Sequence, residues 1–146
     1  MKRLQLALNV SDLQQSIGFY RRLFGTEPAK VRDGYANFAI AEPPLKLVLI
    51  EQPGHGGGVN HLGVEVGDTA TVDAEHARLS GAGFAPVEER GTTCCYATQD
   101  KFWVDGAPDG ERWEVYTVLA DAEDFGPDDG DCECCGTAAD SRSPAR

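Results

Sequence analysis

The sequence predicts an α+β domain built from two βαβββ modules, and three observations indicate this fold. A strand pattern near the N-terminus recurs in the middle of the chain at a constant offset of 56 residues. Each copy is followed by a segment with helix start and stop signals. Three short runs of strand-forming residues then follow each helix. We expect the two modules to form a curled mixed sheet around a shared cavity.

The first module begins with a strand in which apolar and polar residues alternate, so that Gln5 lies on the face opposite the leucines. Ser11 is predicted to be the N-cap of the first helix, in a capping box completed by Gln14. An apolar stripe runs along the helix, and Gly25 is well placed to end it. The three remaining strands are predicted at residues 29–32, 35–40 and 45–51.

A glycine-rich break at residues 53–58 precedes the second module, in which His61 falls on the position of Gln5. The second helix is predicted at residues 71–80 and three strands at 84–89, 95–104 and 111–119. The domain is therefore expected to span residues 1–120, with modules at about 1–52 and 59–120, and an acidic, cysteine-containing tail at 121–146 is expected to be largely disordered.

Charge and hydropathy exclude several classes of partner. The chain carries a formal charge of −11, of which the tail contributes −6, so phosphate backbones would be repelled and no nucleic-acid partner is expected. No run of about 18 apolar residues is present, so no membrane span is expected. The N-terminus lacks the apolar block of a signal peptide, which predicts a cytoplasmic protein.

Five cysteines lie in two tight clusters, a poor framework for disulfides and a good one for soft metals or metalloids. Cys94 and Cys95 follow the flexible lead-in at Gly91 and could together chelate arsenic(III), zinc, cadmium or copper(I). Adjacent residues of a regular strand face opposite ways, so chelation requires a loop or bulge here. The alternative is that both thiols are small buried hydrophobes.

Gln5, His61 and Glu114 are the candidate metal ligands. The first two occupy matching positions in the two modules, and a pseudo-twofold axis would bring them together; Glu114 alternates with apolar neighbours on the last strand. An amide oxygen, an imidazole nitrogen and a carboxylate form a set that leaves positions open on the metal, as in Fe(II) oxygenases. Taken singly, Gln5 could instead be a strand-edge polar residue and His61 a structural histidine.

These residues together resemble the vicinal oxygen chelate superfamily, and within it the carbon–arsenic lyases, with cadmium-induced proteins as close relatives. Gln5, His61 and Glu114 match the metal ligands of that family, and Cys94 and Cys95 match its arsenic-binding pair. The cysteines of the tail fall outside the matching region of roughly residues 1–126, so no role transfers to them. The stretches that carry the resemblance are residues 34–40, 44–49, 60–66, 91–95 and 111–116.

The resemblance implies an Fe(II)-dependent dioxygenase that cleaves the carbon–arsenic bond of methylarsenite and trivalent aromatic arsenicals and releases arsenite. Cys94 and Cys95 would hold arsenic as substrate-binding and catalytic residues, and the loop around Gly91 would move to bring the thiols over the metal. Nickel, cobalt or zinc could replace iron. A non-catalytic cadmium- or arsenite-binding resistance protein is the main alternative, and another enzyme of the superfamily is a third. The oligomeric state stays open between monomer and homodimer.

Overall fold

The computed structural model describes residues 2–123, which form eight strands and two helices. The described chain divides into two compact units, one of residues 3–62 and one of Lys2 and residues 63–123. In chain order the elements are β1 (Arg3–Val10), α1 (Leu13–Phe24), β2 (Lys30–Arg32), β3 (Tyr35–Ile40), β4 (Leu45–Glu51), β5 (Val59–Glu65), α2 (Thr69–Gly81), β6 (Val87–Cys94), β7 (Ala97–Val104) and β8 (Trp113–Asp121).

The first unit is a βαβββ module, as predicted, and it ends in the first half of β5. β1 pairs in parallel with β4, and β4 and β2 each pair antiparallel with β3, which makes the sheet mixed. Gly25 ends α1 in the left-handed conformation, with φ of 65°. The predicted N-cap was wrong by one residue, because the side chain of Asp12, not of Ser11, accepts the hydrogen bond from the Gln15 amide.

Both faces of the first sheet contain buried residues, and the face opposite α1 combines apolar with polar side chains. The leucine face of β1 packs against α1, which buries Leu13 and Ile17. On the other face Ala7 is fully buried and Gln5 is only 4% exposed. A polar side chain buried this deeply needs hydrogen-bonding partners, so this face is where a polar site can form.

The second unit is the second predicted βαβββ module, which confirms the α+β fold class. It takes the end of β5, then α2, and an antiparallel β6–β7–β8 sheet. Asp68 caps α2 by accepting the Thr71 amide hydrogen bond. The core between helix and sheet contains Val72, Phe102 and Val115. α2 therefore packs on its sheet through an apolar core, as α1 does in the first unit.

All three strands that follow α2 have boundaries different from the prediction: β6 begins at residue 87 instead of 84, β7 at 97 instead of 95, and β8 at 113 instead of 111. Gly91 was expected in a flexible lead-in, yet it lies inside β6, where the pairing with β7 shifts register between Glu89 and Thr92. Its left-handed backbone, with φ of 57°, suits such a bulge, and its amide donates to Asp100 Oδ1 at 2.7 Å. The bulge therefore extends the strand past the glycine.

The last strand also ends later than predicted, because Asp121, assigned to the tail, pairs with Ala97 as the final residue of β8. The amide of Ala122 then donates to Tyr96 O at 2.9 Å. The rest of the predicted tail, with Cys132, Cys134 and Cys135, lies outside the described residues. Over residues 2–123, neither helix is long and apolar enough to span a bilayer.

Asp100 gives a testable account of how the β6 bulge is held. Hydrogen bonds from the Thr69 hydroxyl and the Gly91 amide hold the pKa of this carboxyl below its ordinary value of 3.8. A lowered folded-state pKa means that the stabilisation is present above pH 3.8 and is lost as the pH falls through the folded-state value. We expect Asp100→Asn to lower the free energy of unfolding at pH 7 by about 1–2 kcal/mol.

The measurement is urea unfolding across the acid range. The loss of stability on acidification should be shallower in Asp100→Asn than in the wild type, because the group that titrates has been removed. Asp109→Asn, at an exposed carboxyl between β7 and β8, is the control and should follow the wild-type curve. Identical pH dependence in all three proteins would contradict the role given to Asp100.

Candidate metal centre and thiol pair

Gln5 and His61, two of the three predicted metal ligands, meet in the first unit. They lie on β1 and β5 and are 4% and 2% exposed. The backbone amide of Asn9 donates to Gly58 O at 2.9 Å, and this hydrogen bond joins the end of β1 to the residue just before β5. Gln5 Nε2 and His61 Nε2 are 3.1 Å apart. The structure therefore brings these two positions of the repeat together, as the sequence predicts.

The tautomer of His61 follows from its second hydrogen bond. His61 Nδ1 lies 2.7 Å from Asn60 Oδ1, and an amide oxygen can only accept, so Nδ1 carries the proton. Asn60 in turn donates from Nδ2 to Asn9 Oδ1 at 2.9 Å, which fixes which end of its amide faces the imidazole. His61 Nε2 is thus the basic nitrogen and holds its lone pair towards Gln5. A buried imidazole oriented in this way is typical of a metal ligand.

These donor atoms fit a divalent transition metal. The lone pair of His61 Nε2 suits zinc, iron, nickel or copper, and rotating the Gln5 amide by half a turn would place Oε1 where Nε2 now lies. Over residues 2–123 no three His, Cys, Asp or Glu side chains cluster as metal ligands. Gln5 is a further donor, because its side-chain amide does not belong to those four residue types.

Glu114, the third predicted ligand, lies on β8 in the second unit. It is 4% exposed and accepts a hydrogen bond at 3.1 Å from Lys101 Nζ, which is itself 1% exposed. Glu114 is opposite Trp103 in the register of β7 and β8, so Lys101 is its diagonal neighbour on the same face. The carboxylate of Glu89 lies 3.9 Å from the same ammonium. The buried ammonium of Lys101 is thus the cationic partner of two carboxylates.

The charges around Lys101 outweigh the cost of its burial. Desolvation works to lower the pKa of the ammonium, yet the pKa is raised, because the negative charges of Glu114, Cys95 and Glu89 favour the cation. Lys101 also lies over the Trp103 ring, 5.1 Å from its centroid. A thiolate at Cys95 and the carboxylate of Glu114 therefore share one stabilising cation.

The two adjacent cysteines lie at the turn between β6 and β7. Contrary to the expectation of thiols without disulfides, the sulfur of Cys94 is in a disulfide bond. Cys94 is the last residue of β6 and pairs with Ala97, while Cys95 and Tyr96 form a two-residue turn with φ of 55° and 62°. Positive φ at both positions defines a type I′ turn. The expectation of irregular backbone at this pair is confirmed, and its physical reason is that the turn rotates Cys95 out of the alternation of the strand.

The turn brings the sulfurs to a separation suited to binding one atom. Cys94 Sγ and Cys95 Sγ are 3.6 Å apart, well beyond an S–S bond of about 2.05 Å. Two thiolates on one tetrahedral zinc, at about 2.3 Å per bond, lie roughly 3.8 Å apart. Cys94 is fully buried and Cys95 is half-buried. Once the Cys94 disulfide is reduced, the separation of the two sulfurs suits chelation of one soft atom.

Three residues of the site escaped the sequence prediction. Asn60 precedes His61 directly and would have been visible as an amide next to a candidate ligand. Lys101 and Gln99 alternate with Phe102 and face the same side of β7 as Trp103, so a lysine at the centre of a buried strand was the available signal. Their importance comes from what they contact, which the pattern does not state.

Lys101→Met tests the buried charge cluster. Removing the cation leaves the carboxylates of Glu114 and Glu89 without their ammonium partner, and breaking a buried pair in this way costs about 3–5 kcal/mol. We expect the free energy of unfolding of the metal-free protein to fall by that amount, as measured with urea. Lys2→Met removes a lysine that is 56% exposed and ion-paired to Glu75. This control should change stability by at most about 1 kcal/mol, and equal effects of the two substitutions would refute the assignment.

Comparison with known proteins places the chain among proteins of known family. Residues 2–115 match the model of the glyoxalase/bleomycin resistance protein/dioxygenase superfamily. The cadmium-induced protein CadI of Mycobacterium tuberculosis is 69% identical over 126 residues, 86% of this chain and 82% of that protein. A trivalent organoarsenical cleaving enzyme of Thermomonospora curvata is 60% identical over 144 residues, 98% of this chain and 93% of that protein.

Solved structures of low sequence identity share the fold. An extradiol ring-cleaving dioxygenase from B. fuscum superimposes with a TM-score of 0.60 at 20% identity, over 83% of this chain and 34% of that one. A Mn(II)-bound glyoxalase from Novosphingobium aromaticivorans gives 0.58 at 20% identity, over 84% and 42%. The paired βαβββ modules, the family match and the close relatives agree: the chain belongs to the glyoxalase/bleomycin resistance protein/dioxygenase, or vicinal oxygen chelate, superfamily.

Proposed function

We propose that this protein is an Fe(II)-dependent dioxygenase that cleaves the carbon–arsenic bond of trivalent organoarsenicals, such as methylarsenite and trivalent aromatic arsenicals, and releases arsenite. The cysteine pair carries the proposal, because two sulfurs 3.6 Å apart in a strained turn form a chelating site for a thiophilic atom once the Cys94 disulfide is reduced. The 60% identity to a trivalent organoarsenical cleaving enzyme over nearly the whole chain supports the choice of arsenic.

Substrate binding in this proposal is an exchange of hydroxyls for thiols. Methylarsenite carries two hydroxyl groups on arsenic; each thiol forms one arsenic–sulfur bond and each exchange releases one water. The site favours the reactive form, because the cation of Lys101 stabilises negative charge at Cys95. Two bonds to a turn of defined geometry fix the orientation of the carbon substituent, and orientation of this kind is worth up to about 7–11 kcal/mol of barrier in ideal cases.

The metal ligands in this proposal are Gln5, His61 and Glu114. Bound there, Fe(II) would supply the activation of dioxygen, the co-substrate. The chain itself contributes an imidazole held in the correct tautomer by Asn60, an amide that can turn its oxygen outward, and a carboxylate positioned by Lys101. The burial of all three ligands restricts access of water. Nickel, cobalt or zinc could occupy the same donors in a purified sample.

A non-catalytic resistance protein that binds cadmium or arsenite is the second candidate. The observation that favours it is the 69% identity to a protein named for its induction by cadmium. It would use the same thiols of Cys94 and Cys95, with no need for a redox-active metal. A role for thiols suits a reducing compartment, so the cytoplasm is the proposed location under either function.

One assay separates the two functions. Protein purified without oxygen is given Fe(II), dioxygen and methylarsenite, and released arsenite is measured. The dioxygenase is expected to require all three additions. Replacing either thiol by a hydroxyl of similar size, in Cys94→Ser or Cys95→Ser, should lower turnover by roughly 100-fold, because arsenic loses one of its two anchors.

His61→Ala serves as the matched control in that assay. It should abolish metal-dependent release while arsenical binding persists, because the thiols remain. Arsenical binding by the wild type without any iron-dependent release would refute the enzyme and retain the binding protein. Full turnover in either cysteine variant would refute the thiol clamp.

Asn60→Leu tests the proposed metal site separately from turnover. The substitution removes the acceptor that fixes the His61 tautomer, and loss of such a supporting hydrogen bond typically weakens metal binding by about 10–100-fold. Affinity for Fe(II) or Zn(II) would be measured by competition with a chelator. Asn37→Leu is the control, since Asn37 is a buried asparagine of the same unit that donates instead to Tyr35. Equal metal affinity in the two variants would contradict the role of Asn60.

A further inference from the structure

Gln99 is a buried side chain next to the thiol pair, and the proposed function does not yet use it. It lies on β7, is 4% exposed, and donates from Nε2 to Cys94 O at 2.9 Å. A backbone carbonyl only accepts hydrogen bonds, so the nitrogen of the amide must face Cys94. The orientation of this amide is therefore determined by chemistry, and Oε1 is the atom turned away from the carbonyl.

The other end of the amide has no donor. Gln99 Oε1 is buried and accepts no hydrogen bond from any side chain or backbone group in residues 2–123. Buried polar atoms in folded proteins nearly always have a partner, so an acceptor held in this way is suited to a donor that does not belong to the described chain. Because both atoms belong to one amide, that donor would sit within a few ångströms of the Cys94 backbone.

The strain of the turn shows why a positioning residue is needed here. Cys95 and Tyr96 both adopt left-handed backbone, which non-glycine residues seldom do and which persists only where neighbouring contacts impose it. Two hydrogen bonds do so: the Gln99 side chain donates to Cys94 O on one side of the turn, and the Ala122 backbone amide donates to Tyr96 O on the other. The thiol geometry thus depends on Gln99 directly.

We propose that Gln99 is a positioning and specificity residue of the arsenic site, which holds the turn through Nε2 and accepts, at Oε1, a hydrogen bond from a hydroxyl group on arsenic. This inference rests on the proposed arsenical function of Cys94 and Cys95. It assigns to the site a preference for forms of trivalent arsenic that still carry a hydroxyl.

The chemistry of exchange defines which forms those are. A monosubstituted arsenical has two hydroxyls, loses one as water with the first thiol and the other with the second, and retains none once both sulfurs are bound. Inorganic arsenite has three hydroxyls and retains one after both exchanges. A thiol or phosphine reductant first converts the Cys94 disulfide to the thiol, and no oxidation or reduction occurs in either exchange step. Gln99 would therefore engage the singly attached organic arsenical and the doubly attached arsenite.

The test compares two probes on the metal-free protein after reduction of the Cys94 disulfide with a phosphine, which does not itself compete for arsenic as a thiol would. Leaving out the metal separates arsenic binding from turnover. Dissociation constants for inorganic arsenite and for phenylarsonous acid are measured through the near-ultraviolet absorption of arsenic–sulfur bonds. In Gln99→Met both affinities fall because the turn is released. The affinity for arsenite is expected to fall by roughly tenfold more than that for the phenyl compound, as the loss of one hydrogen bond implies.

Two further variants separate the two ends of the amide and cover the case in which Gln99→Met fails to fold. Gln99→Lys keeps an N–H donor for Cys94 O and lacks an acceptor, so it should lose the selectivity. Gln99→Glu keeps an acceptor and should retain it. Thr92→Val, at the residue paired with Gln99 across the hairpin, is the control and should leave the ratio of the two affinities unchanged.

The outcomes are distinguishable from failure of the proposed function. A ratio of affinities that is the same in wild type, Gln99→Met and Gln99→Lys would overturn the role of Gln99 while the thiol clamp stands. A wild-type protein that binds neither probe through its thiols would overturn both. A selective loss for arsenite, retained by Gln99→Glu, supports the inference.

Discussion

The left-handed turn at Cys95 and Tyr96 is the constraint on which the proposed chemistry depends. In a regular strand the side chains of adjacent residues diverge, and Cys94 and Cys95 could not bind one atom. The type I′ turn removes Cys95 from that alternation and brings the two sulfurs within 3.6 Å. Such turns favour asparagine and glycine, so a cysteine and a tyrosine here carry backbone strain of about 1–3 kcal/mol each. Strain retained at one turn, and held there by neighbouring hydrogen bonds, indicates that the thiol geometry has a use.

The unit that contains this turn also contains a cluster of buried charges. Lys101 lies between the carboxylates of Glu114 and Glu89 and stabilises negative charge at Cys95, so one cation connects a proposed metal ligand with a proposed arsenic ligand. Burying such charges offers little net stability compared with an apolar core of equal volume. Their presence here is better explained by a functional role. In the first unit the proposed metal ligand His61 is positioned by neutral groups instead. The side-chain amides of Asn9 and Asn60 fix its proton on Nδ1, and its basic nitrogen Nε2 faces Gln5.

The family assignment alone does not determine the reaction, and the features of the two sites are needed to choose one. The superfamily includes glyoxalases and ring-cleaving dioxygenases on one fold, as the low-identity structural matches illustrate, and a fold does not determine a reaction. The relatives at 60% and 69% identity carry names that point to arsenic and to cadmium, both thiophilic. A pair of adjacent thiols can bind either arsenic or cadmium. The buried amide and imidazole of Gln5 and His61 suit a divalent transition metal, which the proposed enzyme needs and a thiol-only binding protein does not.

The sequence by itself determined the module repeat, the two helices and, to within one residue, the strands of the first module, because hydrophobic period and capping residues are local signals. It also predicted the meeting of Gln5 and His61, since equal positions in a repeated strand imply proximity. It missed the bulge at Gly91 and the end of β8, which pairing between strands decides. Only the tertiary structure decided that Cys94 and Cys95 share a side, that Lys101 is buried against Glu114, and that Gln99 supports the turn. Those facts depend on long-range contacts and on backbone dihedrals that no local pattern of residues specifies.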